Sequence, residues 1–218
     1  MSKISGIGMT SQRARNRLVE KIRSMGITNE EILEVMRTTP RHYFVEEALA
    51  SRAYDNTALP IGYGQTISQP YIVASMTQAL YESGTMEKVL EIGSGCGYQT
   101  VVLSSFSKKV FAVERIQALV KKLRSNLYDL KIPNVKVKHS DGFQGWSEHA
   151  PYDAILVAAA PVGIPATLMQ QLAIGGRLVI PIGSAKSQEL RLITKSSAGL
   201  EEQVIEKVSF VPLLDGLE

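Results

Sequence analysis

Short apolar runs that alternate with helical stretches are the feature that most constrains the fold of this chain. The runs are Val89–Ile92, Val110–Val113, Val135–Val137, Ala154–Ala159, Arg177–Ile182, Leu190–Thr194 and Val204–Pro212. Helical patterns between the first five cover Gly97–Ser107, Ile116–Leu130 and Pro165–Leu172, whereas Gly142–Glu148 shows no clear pattern. This alternation is typical of βαβ units and a parallel sheet that is buried on both faces. The last two runs have no helix between them and predict an antiparallel hairpin.

The first eighty residues have a different organisation. Ser11–Met25, Asn29–Met36 and Tyr71–Ser83 read as helices, with Asn29 as a cap and Gly84 as a stop. Asp55–Pro70 is rich in Gly, Pro, Thr and Ser, and we expect it to be a loop without regular elements. Loops of this length in compact proteins are usually functional. The sequence therefore predicts a doubly wound, mostly parallel α/β sheet with a C-terminal β-hairpin and an N-terminal helical cap.

Composition narrows the class of protein further. The chain has 218 residues, a net charge of +3 and one cysteine, Cys96. A single cysteine excludes an intrachain disulfide and a cysteine-based metal cluster. The longest apolar runs are shorter than a membrane span, so we expect no membrane partner. The small net charge argues against a nucleic-acid partner. We expect a cytoplasmic protein, a monomer without a metal. The basic stretch Gln12–Met25 is interpreted as a solvated helix face, with an organelle-targeting helix as the alternative.

A glycine loop follows the first apolar run and predicts a ligand site. The segment Glu91-Ile92-Gly93-Ser94-Gly95-Cys96-Gly97-Tyr98 carries glycine at every second position, and Tyr98 occupies the place where a dinucleotide fingerprint has its third glycine. Glu91 also places a carboxylate beside the loop, which a pyrophosphate would not favour and an ammonium group would. S-adenosylmethionine carries both an ammonium and a sulfonium. We therefore expect this cofactor, with Gly93, Ser94, Gly95 and Gly97 forming its loop.

Two further acids follow the next two strands. Glu114 ends the second strand and could accept hydrogen bonds from both ribose hydroxyls, and Asp141, next to Gly142, could accept one from the adenine amino group. Each acid alone could equally be a cap or a surface charge. Because ligands bind at the carboxyl edge of open α/β sheets, the three acids together favour a nucleoside site in a Rossmann-like methyltransferase.

Several segments of the chain resemble the protein-L-isoaspartate O-methyltransferase family, and the resemblance runs nearly end to end. The segments that carry it are Arg41–Val45, Gln65–Pro70, Glu91–Gly97, Ala112–Arg115, Ser140–Gly142 and Gly175–Pro181. The glycine loop is shared by many methyltransferases, whereas Thr66-Ile67-Ser68 followed by Pro70 is the family's own signature. The resemblance therefore implies one compact unit, in which residues 1–84 form the helical cap and covering loop and residues 85–218 form the cofactor-binding core.

The resemblance also implies an activity. Members of the family transfer a methyl group from S-adenosyl-L-methionine to the α-carboxylate of L-isoaspartyl residues in damaged proteins and peptides, leaving S-adenosyl-L-homocysteine. The family's active-site serine corresponds to Ser68, and Thr66, Ile67 and Ser68 are expected beside the cofactor. The family's animal members have a histidine where this chain has Val73, and their polar C-terminal contacts are not matched after Val211-Pro212-Leu213. These departures favour a bacterial or archaeal type of member and leave open how the chain's end closes over the ligand.

The chemistry agrees with a carboxylate acceptor. A carboxylate is ionised at neutral pH, so methyl transfer to it needs no general base, and His42, His139 and His149 are scattered along the chain. A nucleobase methyltransferase is disfavoured, because Ala158-Ala159-Ala160-Pro161 offers no polar side chain for an exocyclic amine and Cys96 lies within the cofactor loop. The loop spacing disfavours an NAD oxidoreductase. Another O-methyltransferase, acting on a small molecule, remains the alternative.

Overall fold

The computed structural model describes residues 8–81 and 86–218 and contains six α-helices and nine strands within them. The helices are α1 (Gln12–Ser24), α2 (Glu30–Thr38), α3 (Pro70–Tyr81), α4 (Tyr98–Ser104), α5 (Gln117–Asp129) and α6 (Ala166–Gln171). The strands are β1 (Leu59–Gly62), β2 (Gln65–Ile67), β3 (Met86–Ile92), β4 (Ser107–Glu114), β5 (Val135–His139), β6 (Tyr152–Val157), β7 (Leu172–Ser184), β8 (Ser187–Ser196) and β9 (Gly199–Val208). None of these helices is long and apolar enough to cross a membrane.

Seven strands form one sheet in the order β5-β4-β3-β6-β7-β8-β9. The pairs from β5 through β7 are parallel, and β7–β8 and β8–β9 are antiparallel. The strand order reverses between β3 and β6, so the carboxyl ends of these two strands form the crevice where such sheets bind ligands. The predicted doubly wound sheet with its C-terminal hairpin is confirmed.

An apolar layer covers each face of the sheet, and each layer includes side chains from the sheet strands. One layer joins α1 to α5 with the sheet side chains of Val89, Ala112 and Leu156. The other packs α6 and the region of Trp146 against Leu90 and its neighbours. Successive side chains of a strand point to opposite faces, which explains why adjacent residues of β3 belong to different layers.

The N-terminal helical cap contains the predicted capping residue Asn29 at the start of α2. Asn29 accepts a hydrogen bond from the Ile32 amide at 3.1 Å and caps α2. The buried side chains of α1, α2 and α3 belong to the same apolar cluster as the sheet. The predicted end of the third helix at Ser83–Gly84, and with it the division at residue 84, lies outside the described residues.

The expectation that Asp55–Pro70 lacks regular elements is wrong. Strands β1 and β2 pair antiparallel in this segment, with Leu59 opposite Ile67. The turn between them contains Tyr63 and Gly64 with φ values of 55° and 66°, which glycine adopts readily. We call residues 59–67 the β1–β2 hairpin. Leu59, Ile61 and Ile67 of this hairpin are buried in the main core, and this packing stabilises two strands whose alternating pattern is only a few residues long. The region around Gly142–Glu148 forms two short 3-10 turns, Gly142–Gln144 and Ser147–His149.

A fully buried arginine holds the chain that leads into this hairpin. Arg41 Nε donates to the Ala53 carbonyl at 2.9 Å, and its Nη2 donates to the Thr57 carbonyl at 3.3 Å. The guanidinium lies 4.9 Å from the centre of the Tyr98 ring, a cation–π distance. Burial lowers the pKa of Arg41 from its ordinary value. Arg41 therefore links the cap to the chain just before the hairpin and to the first residue of α4.

Candidate active site

The glycine loop crosses the carboxyl end of β3 in a conformation that needs glycine. Gly93, Gly95 and Gly97 have φ values of 79°, 54° and 91°. The amides of Gly93 and Ser94 both donate to the Val113 carbonyl of the neighbouring strand, at 2.9 and 3.2 Å. A Cβ added to Gly95 would lie 3.2 Å from the Ile61 side chain. The loop is thus pinned to β4 on one side and covered closely by the hairpin on the other.

Glu114 connects the end of β4 to this loop. Its Oε2 accepts a hydrogen bond from the Gly95 amide and its Oε1 accepts one from the Ile116 amide, both at 2.9 Å. The residue is only 5% exposed and lines the cavity described next. Each carboxylate oxygen has two lone pairs, so Glu114 can still accept hydrogen bonds from a ligand.

Two small cavities lie against the glycine loop. The larger, of about 50 Å³, is called the nucleoside cavity, and its walls include Gly93, Gly95, Glu114 and Gly142. The smaller, of about 40 Å³, is called the serine cavity, and its walls include Ile67, Ser68 and Ser94. Thr66 and Ala158 line both cavities. The structure therefore brings most of the predicted site residues together at the switch point of the sheet.

Ser68 separates the serine cavity from a much larger groove. This groove has a volume of about 650 Å³ and runs between the start of α3 and the end of β9. Thr66, Ser68 and Ala158 line the groove as well as the serine cavity. Tyr71 and Phe210 are aromatic walls of the groove, and Glu206 contributes a carboxylate that accepts a hydrogen bond from the Ser75 hydroxyl at 3.1 Å.

Glu91 lies behind the glycine loop and is not among the residues that line these cavities. Its carboxyl group is completely buried, and neither oxygen has a hydrogen-bond partner in the structure. Burial raises the pKa of Glu91 to about 8; the nearby Thr100 hydroxyl opposes this shift and the charge of Glu114 adds to it. Glu91 is therefore neutral over much of the acidic and neutral range.

Of three further predicted site residues, only Gly142 lines a cavity; the other two are Gly97 and Asp141. Gly97 does not line the cavities, and a Cβ there would clash with the side chain of Leu123 on α5, so glycine permits close packing. Asp141 is not among the cavity residues either, because its two oxygens accept hydrogen bonds from the amides of Phe143 and Gly216 at 2.8 and 2.9 Å. Gly142 does line the nucleoside cavity.

Sequence reasoning missed several walls of the nucleoside cavity. Ile61 and Gln65 come from the hairpin, Arg115 and Ile116 follow β4, and Val211–Leu214 come from the chain after β9. The alternation of Leu59, Pro60 and Ile61 was the available signal for the hairpin. Residues 211–214 have no periodic pattern, and only the tertiary structure places them at this edge.

The histidines lie away from these cavities. A ring nitrogen of His42 lies 2.8 Å from the Tyr54 hydroxyl, a ring nitrogen of His139 lies 2.8 Å from the Arg115 carbonyl, and His149 stacks against Phe111. None of them lines the nucleoside cavity, the serine cavity or the groove. Over residues 8–81 and 86–218, no three His, Cys, Asp or Glu side chains are grouped as a metal site would require.

A doubly wound sheet with a glycine loop and an acid at its switch point is typical of Rossmann-like proteins that bind a nucleoside-containing cofactor, and Rossmann-like methyltransferases are one class of them. The family model for protein-L-isoaspartate(D-aspartate) O-methyltransferase matches residues 12–218. The chain therefore belongs to the protein-L-isoaspartate O-methyltransferase family.

Relatives of that name support the assignment over nearly the whole chain. The protein from Halorhodospira halophila is 51% identical over 212 residues, covering 97% of this chain and 96% of the relative. The protein from Pseudomonas paraeruginosa is 53% identical over 208 residues, covering 95% and 99%. A protein from Plasmodium falciparum, described as a protein-L-isoaspartate O-methyltransferase and solved in complex with S-adenosyl-L-homocysteine, superposes with a TM-score of 0.80 at 29% identity and covers 92% of this chain and 98% of its own.

Proposed function

We propose that this protein transfers a methyl group from S-adenosyl-L-methionine to the α-carboxylate of L-isoaspartyl residues in damaged proteins and peptides. The observation that carries the proposal is the shared wall of Thr66, Ser68 and Ala158. These residues separate a cavity beside the glycine loop from a groove large enough for a peptide segment. A methyl donor on one side and a carboxylate on the other would meet at Ser68.

The residues at the sheet edge fit the proposed cofactor. Glu114 offers free lone pairs beside the nucleoside cavity, where ribose hydroxyls need acceptors. Gly93, Ser94, Gly95 and Gly142 expose backbone to a ligand, and Thr66 and Ile67 form the opposite wall. Glu91, Gly97 and Asp141 would act indirectly: Glu91 through its buried carboxyl group behind the loop, Gly97 through the close packing of the loop, and Asp141 through the position of residue 216. When bound, S-adenosylmethionine supplies an activated methyl group.

Ser68 is the residue that we assign to orienting the acceptor. Its hydroxyl can donate one hydrogen bond that directs a carboxylate oxygen toward the cofactor side. The acceptor is already ionised at neutral pH, so the chain needs no base beside it, consistent with the positions of the three histidines. Holding the two reactants in line can supply about 7–11 kcal/mol of the barrier reduction.

The groove can hold a peptide segment. It has a volume of about 650 Å³ and extends from Thr57 and Tyr71 past Ser68 to Phe210, so an extended segment could lie on both sides of the reacting residue. Small-molecule O-methylation is the less favoured function, because the family model and the relatives are named for a protein substrate.

A paired assay tests the proposal. Calorimetry should detect binding of S-adenosylhomocysteine and not of NAD, and labelled methyl groups should then transfer to an isoaspartyl peptide and not to a catechol. Binding of NAD alone would overturn the cofactor assignment. Transfer to the catechol and not to the peptide would overturn the acceptor assignment and support the small-molecule alternative.

A further inference from the structure

The groove beside Ser68 carries a carboxylate that the proposed reaction does not use. Glu206, near the end of β9, lines this groove but does not line the serine cavity. It therefore faces the part of a substrate that flanks the reacting residue, and not the acceptor carboxylate that Ser68 orients. Its charge can influence which sequences around the reacting residue bind well.

Glu206 is held in place by side chains of α3. Its Oε1 accepts a hydrogen bond from the Ser75 hydroxyl at 3.1 Å, and Ser75 is only 8% exposed. Tyr71 lies one helical turn before Ser75. Burial raises the pKa of Tyr71, and the nearby charge of Glu206 adds to this shift. Each carboxylate oxygen has two lone pairs, so Glu206 can accept further hydrogen bonds from a ligand.

The charge of Glu206 has no counter-ion within the protein. Over the described part of the chain, no lysine or arginine forms an ion pair with it. Lys207 is the other charged residue that lines the groove, but adjacent side chains of a strand point to opposite faces. Lys207 lies opposite Glu189 in the β8–β9 pairing, whereas Glu206 lies opposite Leu190, which is buried in the main core. The groove therefore offers an unpaired carboxylate.

The surroundings of this carboxylate suit a long cationic side chain. Tyr71 and Phe210 are aromatic walls of the same groove. Lysine and arginine pack their apolar stems on such surfaces and keep their charged heads at a polar site, and aromatic faces also attract cations. An aspartate or glutamate at the same place would be repelled by Glu206.

We propose that Glu206 and Tyr71 form a subsite for a lysine or arginine that flanks the isoaspartyl residue of the substrate. The carboxylate pairs with the cationic head, and the ring of Tyr71 packs against the stem. The subsite changes the rate among isoaspartyl sequences and does not replace selection of the isoaspartyl linkage. The inference rests on the proposed function, because the groove must hold a peptide substrate.

A panel of isoaspartyl peptides tests the subsite. Each peptide carries a single lysine or a single glutamate at one of the three positions on either side of the isoaspartyl residue, and kcat/KM is measured with the full chain. At one position or more, the lysine peptide should exceed the glutamate peptide by about two- to twenty-five-fold. This range combines attraction of one charge and repulsion of the other, each with the strength of an exposed ion pair.

Variants at Glu206 assign the preference to its charge. Glu206→Gln keeps the shape of the side chain and an acceptor for Ser75, and its lysine-to-glutamate ratio should fall to near one. Glu206→Lys should invert the ratio. Glu201→Gln, the same change at an exposed glutamate of β9 that does not line the groove, should keep the parent ratio. Each ratio compares two peptides on the same enzyme, so a partly unfolded preparation does not change it.

Salt provides an independent readout of the same charge. Raising the ionic strength should lower the parent ratio and leave that of Glu206→Gln unchanged, because screening acts only on charged pairs. A parent ratio near one at every position, or equal ratios in the parent and Glu206→Gln, would overturn the proposal. A parent protein that methylates none of the isoaspartyl peptides would instead refute the proposed function.

Discussion

The carboxylate of Glu114 accepts a hydrogen bond from the backbone amide of Gly95 at 2.9 Å. This bond joins the end of β4 to the glycine loop after β3, so the acid that is proposed to hold the ribose also fixes the loop beside it. The same carboxylate accepts from Ile116 through its other oxygen. The shape of the cofactor site and its charge therefore depend on one side chain.

Substitution of Glu114 should weaken cofactor binding. Glu114→Gln replaces one acceptor oxygen with a donor that cannot pair with either backbone amide. We expect a loss of about 1.5–3 kcal/mol in affinity for S-adenosylhomocysteine, the range for hydrogen bonds to a charged group. Calorimetry measures the effect, and Glu201→Gln, the same change at an exposed glutamate of β9, is the matched control. Parent-like affinity would remove Glu114 from the cofactor site.

Substitution of Ser68 should separate turnover from cofactor binding. Ser68→Ala removes the donor that orients the acceptor carboxylate, while the reacting nucleophile belongs to the substrate. We expect kcat to fall by about ten- to a hundred-and-fifty-fold, with Kd for S-adenosylhomocysteine near the parent value. Ser51→Ala, which changes an exposed serine outside the site, is the control. An unchanged kcat would assign Ser68 to the structure of the loop.

The buried carboxyl of Glu91 should make stability depend on pH. Its pKa is raised to about 8 in the folded protein, so the unfolded chain loses this proton at a lower pH than the folded chain. The contribution of Glu91 to stability is therefore complete below its unfolded pKa and is lost as pH rises toward 8.

Glu91→Gln keeps the shape of the side chain and removes the titration. The free energies of unfolding of the variant and the parent are measured in urea. The variant's value minus the parent's should rise by up to about 1.4 kcal/mol per pH unit between pH 5 and 8. A difference that stays constant across this range would mean that Glu91 is ionised in the folded protein.

Arg41 should stabilise the protein through the carbonyls that it binds. Arg41→Lys replaces the two separate donor nitrogens, Nε and Nη2, with one ammonium nitrogen, so we expect the Ala53 or the Thr57 carbonyl to lose its partner, and an acceptor buried without a partner costs roughly 1–3 kcal/mol. We expect the free energy of unfolding to fall by about that amount. Arg52→Lys, at a side chain that is 57% exposed, should change it little. Equal effects of the two substitutions would contradict the role of Arg41 as an anchor.

The sequence predicted the sheet and the loop because both depend on local pattern. The runs around Val89, Val110 and Ala154 have the length and composition of buried parallel strands, and the glycine spacing marks the ligand edge. The hairpin was missed because β1 and β2 have four and three residues and depend on burial against the core.

Side-chain placement at the site was harder to predict. Glu91 precedes the loop in sequence, but the alternation of β3 directs its carboxyl group into the layer of α4. Asp141 lies at the predicted edge, but it binds the Gly216 amide, 75 residues along the chain. Such a contact carries no periodic signal, so the contribution of residues 211–214 to the site emerged only from the structure.

Substrate geometry provides the most direct test of the central claim. An isoaspartyl residue carries its α-carboxylate on a short arm, whereas a normal aspartyl residue carries its carboxylate one carbon further from the backbone. A displacement of about 1 Å can lower a rate on the order of a hundredfold. If the groove grips the peptide backbone while Ser68 holds the carboxylate, only the short arm reaches the cofactor side.

The decisive measurement is labelled methyl transfer to two peptides that differ only in an isoaspartyl or a normal aspartyl linkage, repeated in several flanking sequences. We expect methylation of the isoaspartyl peptide in each sequence context, at a rate at least about a hundredfold above that of its normal counterpart. Comparable methylation of the two peptides, or activity that depends on one flanking sequence, would contradict the account.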